Sequence, residues 1–186
     1  MSPADSVRLF VALELPAAVR DALSAWAREQ VGVMAGLRLV DPGSLHVTLC
    51  FLGSRPAAEV DQVATACRSA LSGLPAPSLT VGDALWLPPR RPRVLTVQLA
   101  DDHGRLAAVQ SALAGALTRG GFYAPERRPF LAHVTTARVK GESHARREPP
   151  PPPDPARFTG DTVTLFQSRL GHSPARYEPL SSVGLQ

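Results

Sequence analysis

The chain has 186 residues, of which 44% are hydrophobic, and its 20 basic and 16 acidic side chains give a net charge of +4. That length suffices for one domain with a substantial core, and no apolar window is long enough to cross a bilayer. The two cysteines, Cys50 and Cys67, lie in apolar patterns without a Cys-x-x-Cys spacing, so we expect buried free thiols and no disulfide.

The N-terminal region leads directly into an apolar strand and lacks the basic start and apolar core of a signal peptide. We therefore expect a cytoplasmic monomer with no membrane partner, folded as a single domain over residues 1–186. Lys140 is the only lysine, so arginine carries almost all of the positive charge, and its planar fork suits phosphate groups.

The first half of the chain alternates strands with amphipathic helices. An apolar strand ends at Pro16, a residue suited to the first turn of a helix, and apolar side chains then recur at helical spacing. The prediction for this half is a strand at Arg8–Leu15, a helix from Ala17 to about Gln30, a short strand at Leu37–Val40, a strand at Leu45–Leu52 and a helix within residues 55–73.

The second half repeats this arrangement. Asp101 and Asp102 can cap a third helix, which Gly120 and Gly121 stop. The prediction is strands at Ser78–Leu87 and Arg93–Ala100, a helix with its apolar stripe at Leu106, Val109, Leu113 and Leu117, a strand at Phe130–Val139, and closing strands near Phe158–Leu170 and Tyr177–Leu185.

The segment from Lys140 to Ala156 differs from the rest of the chain. It contains the consecutive prolines Pro149–Pro153, which exclude a regular helix or a central strand. We expect an extended, exposed proline-rich loop over residues 140–156, and we favour a solvated excursion over a lid.

Two of the predicted strands carry related motifs. The first holds His46-Val47-Thr48-Leu49 and the second holds His133-Val134-Thr135-Thr136. Because successive side chains on a strand point to opposite faces, each histidine shares a face with the threonine two positions later. The same alternation places Cys50 on the histidine face of the first strand and Phe51 on its core face.

This repetition decides the predicted fold. Each half supplies a helix followed by a motif strand, a pattern that indicates internal duplication. Alternating polar and apolar strands favour antiparallel sheets with one open face. We predict an α+β class, two-lobed, pseudo-twofold fold of largely antiparallel sheets, with helices outside and a central cleft.

Two imidazoles and two hydroxyls facing one cleft are suited to moving protons around a phosphate. One neutral and one protonated imidazole can act as base and acid near neutral pH, and threonine hydroxyls can donate hydrogen bonds to the non-bridging oxygens. A lone histidine is more often structural, but two matched motifs favour catalysis. Neither motif brings a second His, Cys or carboxylate at metal-ligand spacing, so we predict no metal and no other cofactor.

With these motifs the sequence resembles the 2H phosphoesterases, in particular the RNA 2′,3′-cyclic phosphodiesterases that are also called 2′-5′ RNA ligases. The resemblance runs along nearly the whole chain. It is carried by the opening strand, the two motif strands, a mid-chain segment and the closing strands: Arg8–Ala12, Leu45–Leu49 with Phe51–Gly53, Arg90–Leu95, Arg128–Val139, Ser168–Leu170 and Ala175–Tyr177.

The resemblance implies hydrolysis of a terminal 2′,3′-cyclic phosphate to a 2′-phosphate, with His46 donating a proton to O3′ and His133 accepting one from water. Thr48 and Thr135 complete the catalytic set. The resemblance also indicates Arg138 as a substrate contact, but strand alternation places it opposite the histidine face unless the strand ends or bulges. With an RNA 5′-hydroxyl in place of water, the reverse reaction would form a 2′-5′ linkage without ATP. The pseudo-symmetry means that the residues alone do not separate acid from base.

Two other functions stay open at this point. One is a non-catalytic protein that binds RNA ends or nucleotides, which would have no need of a matched acid and base. The other is a phosphodiesterase of a small cyclic nucleotide such as cyclic ADP-ribose phosphate. A basic cleft rim would favour RNA ends with a 2′,3′-cyclic phosphate as the partner, and a closed, aromatic-lined pocket would favour small cyclic nucleotides.

Overall fold

The computed structural model describes residues 6–32, 34–141, 148–169 and 176–186. Within these ranges it contains nine strands and three α-helices. The strands are β1 (Ser6–Glu14), β2 (Leu37–Leu39), β3 (His46–Pro56), β4 (Ser78–Leu87), β5 (Val94–Ala100), β6 (His133–Val139), β7 (Arg157–Thr159), β8 (Thr162–Arg169) and β9 (Arg176–Gly184), and the helices are α1 (Ala17–Val31), α2 (Val60–Leu71) and α3 (Arg105–Arg119).

The strands form one curled sheet in which every recorded pair is antiparallel. Its order is β7-β4-β5-β6-β3-β1-β8-β9, with β2 added beside β6. The motif strands β3 and β6 lie next to each other at the centre, and each has its own flanking strand, β1 or β5. The predicted α+β fold with pseudo-twofold character is therefore confirmed, although the two lobes share one continuous sheet.

The helices pack on the sheet face that carries Val47 and Val134, both of which are fully buried. The predicted helical stripes are confirmed, because the apolar residues at three- and four-residue spacing on α1 and α3 all enter this core. The burial of each such side chain stabilises the folded state by about 1.5–3 kcal/mol. The longest described helices have 15 residues, too few to cross a bilayer.

Two predicted strands differ from the structure. The strand predicted at Phe158–Leu170 is interrupted, so that β7 ends at Thr159 and β8 begins at Thr162. Gly160 lies in this break against Leu13, where a Cβ would approach the leucine side chain to 2.6 Å. The strand predicted from Phe130 begins only at His133, and Leu170 lies outside the described residues.

The proline-rich segment is anchored to the fold over its described part. Trp26 on α1 donates its indole N–H to the Pro151 carbonyl at 3.0 Å, and Trp86 on β4 donates to the Glu148 carbonyl at 3.0 Å. Pro153 is buried. The side chains of Glu148, Pro149, Pro151 and Pro152 are exposed, so the two tryptophans tie the backbone of an exposed segment to α1 and β4. The choice of a solvated excursion over a lid stays a prediction. Residues 142–147 of the predicted loop lie outside the described residues.

Candidate active site

The two His-x-Thr motifs meet at the centre of the sheet. β3 and β6 run antiparallel, with Val47 directly opposite Val134. In this register each motif histidine lies across from the threonine of the other motif, because each flanks the paired valine. The partial exposure of all four polar side chains, beside fully buried valines, places them on the open face of the sheet.

Each motif is followed by a β-bulge. In β3 the extra residue is Leu49, since its two neighbours pair with consecutive residues of β1. In β6 the extra residue is Thr136, since its two neighbours pair with consecutive residues of β5. A bulge adds one residue to one strand and so reverses the alternation of faces beyond it.

The bulges correct the prediction for the residues that follow the motifs. Cys50, predicted on the histidine face, is 1% exposed and belongs to the core, whereas Phe51, predicted in the core, is 44% exposed. Arg138 occupies the corresponding position after His133 and is also exposed. Phe51 and Arg138 therefore lie on the same face as the motif side chains, each five residues after its histidine.

Both histidines have one ring nitrogen fixed by the backbone. Nδ1 of His46 lies 2.8 Å from the Ser44 carbonyl oxygen, and Nδ1 of His133 lies 2.8 Å from the Leu131 carbonyl oxygen. A carbonyl oxygen only accepts, so Nδ1 carries the proton in each ring and Nε2 is the atom that can gain or lose one. Nε2 of His46 lies 3.1 Å from the Thr48 hydroxyl, which donates to it when the ring is neutral.

His46 packs among aromatic rings that the sequence does not bring together. The ring of Phe10 on β1 stacks on the imidazole with centroids 4.9 Å apart, and the ring of Tyr177 on β9 meets it edge-on at 5.4 Å. Phe166 on β8 stacks in turn on Phe10 at 5.2 Å. The sequence does not predict these contacts, because they come from three strands that are distant from one another in the chain.

This burial lowers the pKa of His46 from 6.5 to about 4. The hydrogen bond to Ser44 opposes the shift, while the positive charge of Arg138 and the neighbouring His133 add to it. His46 is therefore neutral at pH 7 in the unliganded protein. Arg138 is therefore close enough for its charge to act on His46.

The lowered pKa of His46 predicts how the free energy of unfolding depends on pH. Above pH 6.5 the imidazole is neutral in both the folded and unfolded states and contributes nothing. Between pH 6.5 and 4 only the unfolded state takes up the proton, so the free energy of unfolding should fall by roughly 2–3 kcal/mol through this one group. We expect His46→Gln to lack this loss, when urea denaturation of both proteins is compared at pH 7 and pH 4.5. An equal loss in both proteins would contradict the assignment.

The two cysteines lie in the core and are not placed to act as nucleophiles. Cys50 and Cys67 are buried and free, as predicted, and burial raises the pKa of each to about 12, so both remain protonated thiols. In the part of the chain that the structure describes, no group of three or more His, Cys, Asp or Glu side chains is placed to hold a metal ion.

A cavity of about 940 Å³ opens beside His133. Its walls come from β3, α3, the β4–β5 turn and the loop before β6. The aromatic side chains that line it are Phe51, Tyr123 and Phe130. Arg93 and Arg128 also line it. The sequence motifs do not predict this cavity, since its walls come from four separate parts of the chain.

Another basic residue that the motifs do not mark lies beside Arg138. β2 pairs with β6 so that Arg38 is directly opposite Arg138. Side chains that are directly opposite on neighbouring strands share a face and lie close together. The pair concentrates positive charge at one side of the open face, beyond the motif residues of β6.

Comparison with known proteins agrees with this arrangement. A family model described as LigT like Phosphoesterase matches residues 13–96. The chain is 32% identical over 177 residues to an RNA 2′,3′-cyclic phosphodiesterase of Escherichia coli, covering 93% of each chain, and 35% identical over 149 residues to one of Thermus thermophilus, covering 77% of this chain and 73% of that one.

Solved structures share the fold over almost the whole chain. The crystal structure of E. coli LigT complexed with 3′-AMP superposes with a TM-score of 0.80 at 28% identity, covering 97% of this chain and 99% of that chain. TT0787 of Thermus thermophilus superposes with a TM-score of 0.82 at 25% identity, covering 95% and 97%. Identity and coverage together show that the chain belongs to the LigT-like, or 2H, phosphoesterase family.

Proposed function

We propose that this protein is an RNA 2′,3′-cyclic phosphodiesterase that opens a terminal cyclic phosphate to a 2′-phosphate by acid–base catalysis with two histidines. The observation that carries the proposal is the paired geometry of the motifs. Two imidazoles with anchored Nδ1 atoms face one cleft, each across from a threonine hydroxyl, and Nε2 of His46 is hydrogen-bonded to Thr48 on its own strand. The names of its relatives support the same substrate.

The reaction needs a base on one side of phosphorus and an acid on the other. In the proposed scheme, Nε2 of His133 takes a proton from water as the water oxygen bonds to phosphorus. The P–O3′ bond breaks, and Nε2 of His46 gives its proton to O3′, which leaves the phosphate on O2′. Each proton transfer typically contributes ~10²–10⁴-fold to the rate.

The remaining residues of the open face would stabilise the transition state. The hydroxyls of Thr48 and Thr135 can donate to the non-bridging oxygens, where negative charge increases. Arg138 can neutralise the same charge, because the bulge after Thr135 turns it to this face. The phosphate anion also offsets the positive charge around His46 and so raises the pKa of that imidazole toward the value that an acid needs.

The same scheme joins two RNA ends when an RNA 5′-hydroxyl replaces water. His133 then takes the proton of that hydroxyl, the 5′ oxygen attacks the cyclic phosphate, and a 2′-5′ linkage forms without ATP. The free energy for this step comes from opening the cyclic phosphate ring, and no nucleotide cofactor has to supply it. Hydrolysis and ligation therefore use the same residues and differ only in the attacking oxygen.

The decisive experiment uses protein dialysed against EDTA and an RNA that ends in a 2′,3′-cyclic phosphate. We expect complete conversion to the 2′-phosphate, identified by phosphorus NMR, with an unchanged rate when Mg²⁺ or Zn²⁺ is added. A folded protein that leaves the RNA intact would overturn the proposed function. Activity that disappears in EDTA and returns only with a divalent ion would replace the two-histidine scheme with a metal-activated water.

A further inference from the structure

The two motif strands have equivalent neighbours that differ in side chain. Phe10 on β1 pairs with Phe51, and Val94 on β5 pairs with Arg138. Since Phe51 and Arg138 each follow their motif histidine by five residues, Phe10 and Val94 occupy equivalent positions in the two halves. The neighbouring strand therefore supplies an aromatic ring on the His46 side and an aliphatic side chain at the equivalent place in the second half.

The next strand outward repeats this difference. Phe166 on β8 pairs with Phe10, and Leu87 on β4 pairs with Val94. The ring of Phe166 stacks on that of Phe10 at 5.2 Å, with 18° between their planes, and so supports it from behind. Leu87 and Val94 instead line the cavity beside His133. The stacked rings are thus a property of the His46 side and not of the duplicated fold as a whole.

The imidazole of His46 is held at one nitrogen, one face and one edge. The Ser44 carbonyl fixes Nδ1, and Phe10, which is 4% exposed, covers one face with 29° between the ring planes. Tyr177 meets both the imidazole and the Phe10 ring edge-on. Stacked and edge-to-face arrangements are those that aromatic pairs prefer. Nε2, the atom that exchanges a proton, is left beside the Thr48 hydroxyl.

We propose that Phe10 and Tyr177 are positioning residues, which hold the imidazole of His46 in the orientation from which Nε2 passes a proton to or from the substrate. A hydrogen bond at Nδ1 alone leaves the tilt of the ring broad, because the torsion next to an imidazole has no sharp minimum. The stacked face and the edge contact restrict that tilt. This inference rests on the proposed function, and the two rings act through His46 without touching a reacting atom.

The first test is the turnover of Phe10→Leu, which keeps an apolar side chain but loses the flat face. We expect kcat for hydrolysis of the RNA cyclic phosphate to fall roughly tenfold with little change in KM, because a tilted imidazole slows the chemical step and not binding. The matched control is Phe158→Leu, which removes a buried ring from β7 at the far end of the sheet and should keep the wild-type kcat.

A double-mutant cycle separates positioning from a general structural effect. In a His46→Ala background, Phe10→Leu should cost no further turnover, because the ring has no imidazole left to orient. Tyr177→Leu should lower kcat several-fold, and Tyr177→Phe, which keeps the ring edge, should recover most of that loss. An equal loss from Phe10→Leu with and without His46 would overturn the inference, and so would an equal loss in both Tyr177 variants.

An NMR titration tests the same contact without turnover. Phe10→Ala opens one face of the imidazole to water, and burial is the largest cause of its lowered pKa. The pKa of His46 should therefore rise from about 4 toward 6.5 in this variant and stay near 4 in Phe158→Ala. The charged and titratable groups around the imidazole are retained in both variants: Arg138 and His133 on β6, Tyr177 on β9, and Glu14, which is opposite His46 on β1.

The measurement uses histidine labelled with ¹³C at Cε1, and the His46 signal is the one that His46→Gln lacks. An unchanged pKa of His46 in Phe10→Ala would overturn the inference, whatever the turnover. Absence of cyclic phosphate hydrolysis by the wild-type protein would overturn the proposed function, and the titration would still decide whether Phe10 covers the imidazole.

Discussion

Alanine in place of His46 or His133 should lower kcat for RNA 2′,3′-cyclic phosphate hydrolysis by roughly 10²-fold or more, as expected when an acid or a base is lost. The double variant should be little slower than either single variant, because the two imidazoles act as a unit on one transition state. Single-turnover kinetics at saturating RNA measure this effect on the chemical step.

The control for this result is His103→Ala, which removes an exposed histidine before α3, away from the open face. It should retain wild-type turnover. Circular dichroism of all four variants shows whether the fold persists. A His46 or His133 variant that keeps near wild-type turnover would remove that residue from the mechanism, and strictly multiplicative losses in the double variant would show that the two do not act together.

A 3′-thio analogue of the cyclic phosphate should rescue one histidine variant and not the other. Sulfur is a better leaving group than oxygen and departs without protonation, so the analogue makes the acid unnecessary. If His46 is the acid, His46→Ala should recover most of its roughly 10²-fold loss on the analogue, and His133→Ala should stay impaired. The pseudo-symmetry of the two motifs is irrelevant to this comparison, since only the chemical role of each imidazole matters.

The opposite rescue pattern would exchange the two roles and keep the rest of the mechanism. Rescue of neither variant would mean that the histidines position the phosphate without transferring protons. The wild-type pH profile gives an independent measurement. Because burial lowers the pKa of His46 to about 4, the fall of kcat/KM on the acid side should lie at a pH well below the usual range of histidine. The apparent pKa values of this profile belong to the coupled pair of histidines and not to either residue alone.

The meeting of the two motifs on one face of the sheet was predictable because it depends on local spacing. A His and a Thr two positions apart on a strand must share a face, and two such strands in a duplicated arrangement must meet near a common axis. The helical stripes of α1 and α3 were predictable for the same reason, since a three- and four-residue spacing places apolar side chains on one side of a helix.

The positions after the motifs could not be predicted from alternation. A bulge depends on how a strand pairs with its neighbour, and neither Leu49 nor Thr136 is a residue type that marks one. As a result, the sequence indicated the wrong face for Cys50 and Phe51, and it left the position of Arg138 dependent on a bulge that only the pairing reveals.

Other features depend on contacts between distant parts of the chain. The ring of Phe10 reaches His46 only because β1 lies between β3 and β8 in the sheet. The proline-rich segment is held by indole N–H groups of Trp26 and Trp86, and a helical stripe or a strand pattern gives no sign of where an indole nitrogen will donate. Such contacts follow from topology, which spacing alone does not determine.

The single register pair between Val47 and Val134 has a mechanical consequence. Strands β3 and β6 share this one pair directly, while β2 adds three pairs to β6, so β2 is the strand that resists a small rotation of β3 relative to β6. The same rotation alters the separation of the two imidazoles, and a misplacement of about 1 Å can cost ~10²-fold in rate. The separation of the two imidazoles therefore depends on the angle between β3 and β6. A phosphate that contacts both histidines would itself fix that angle.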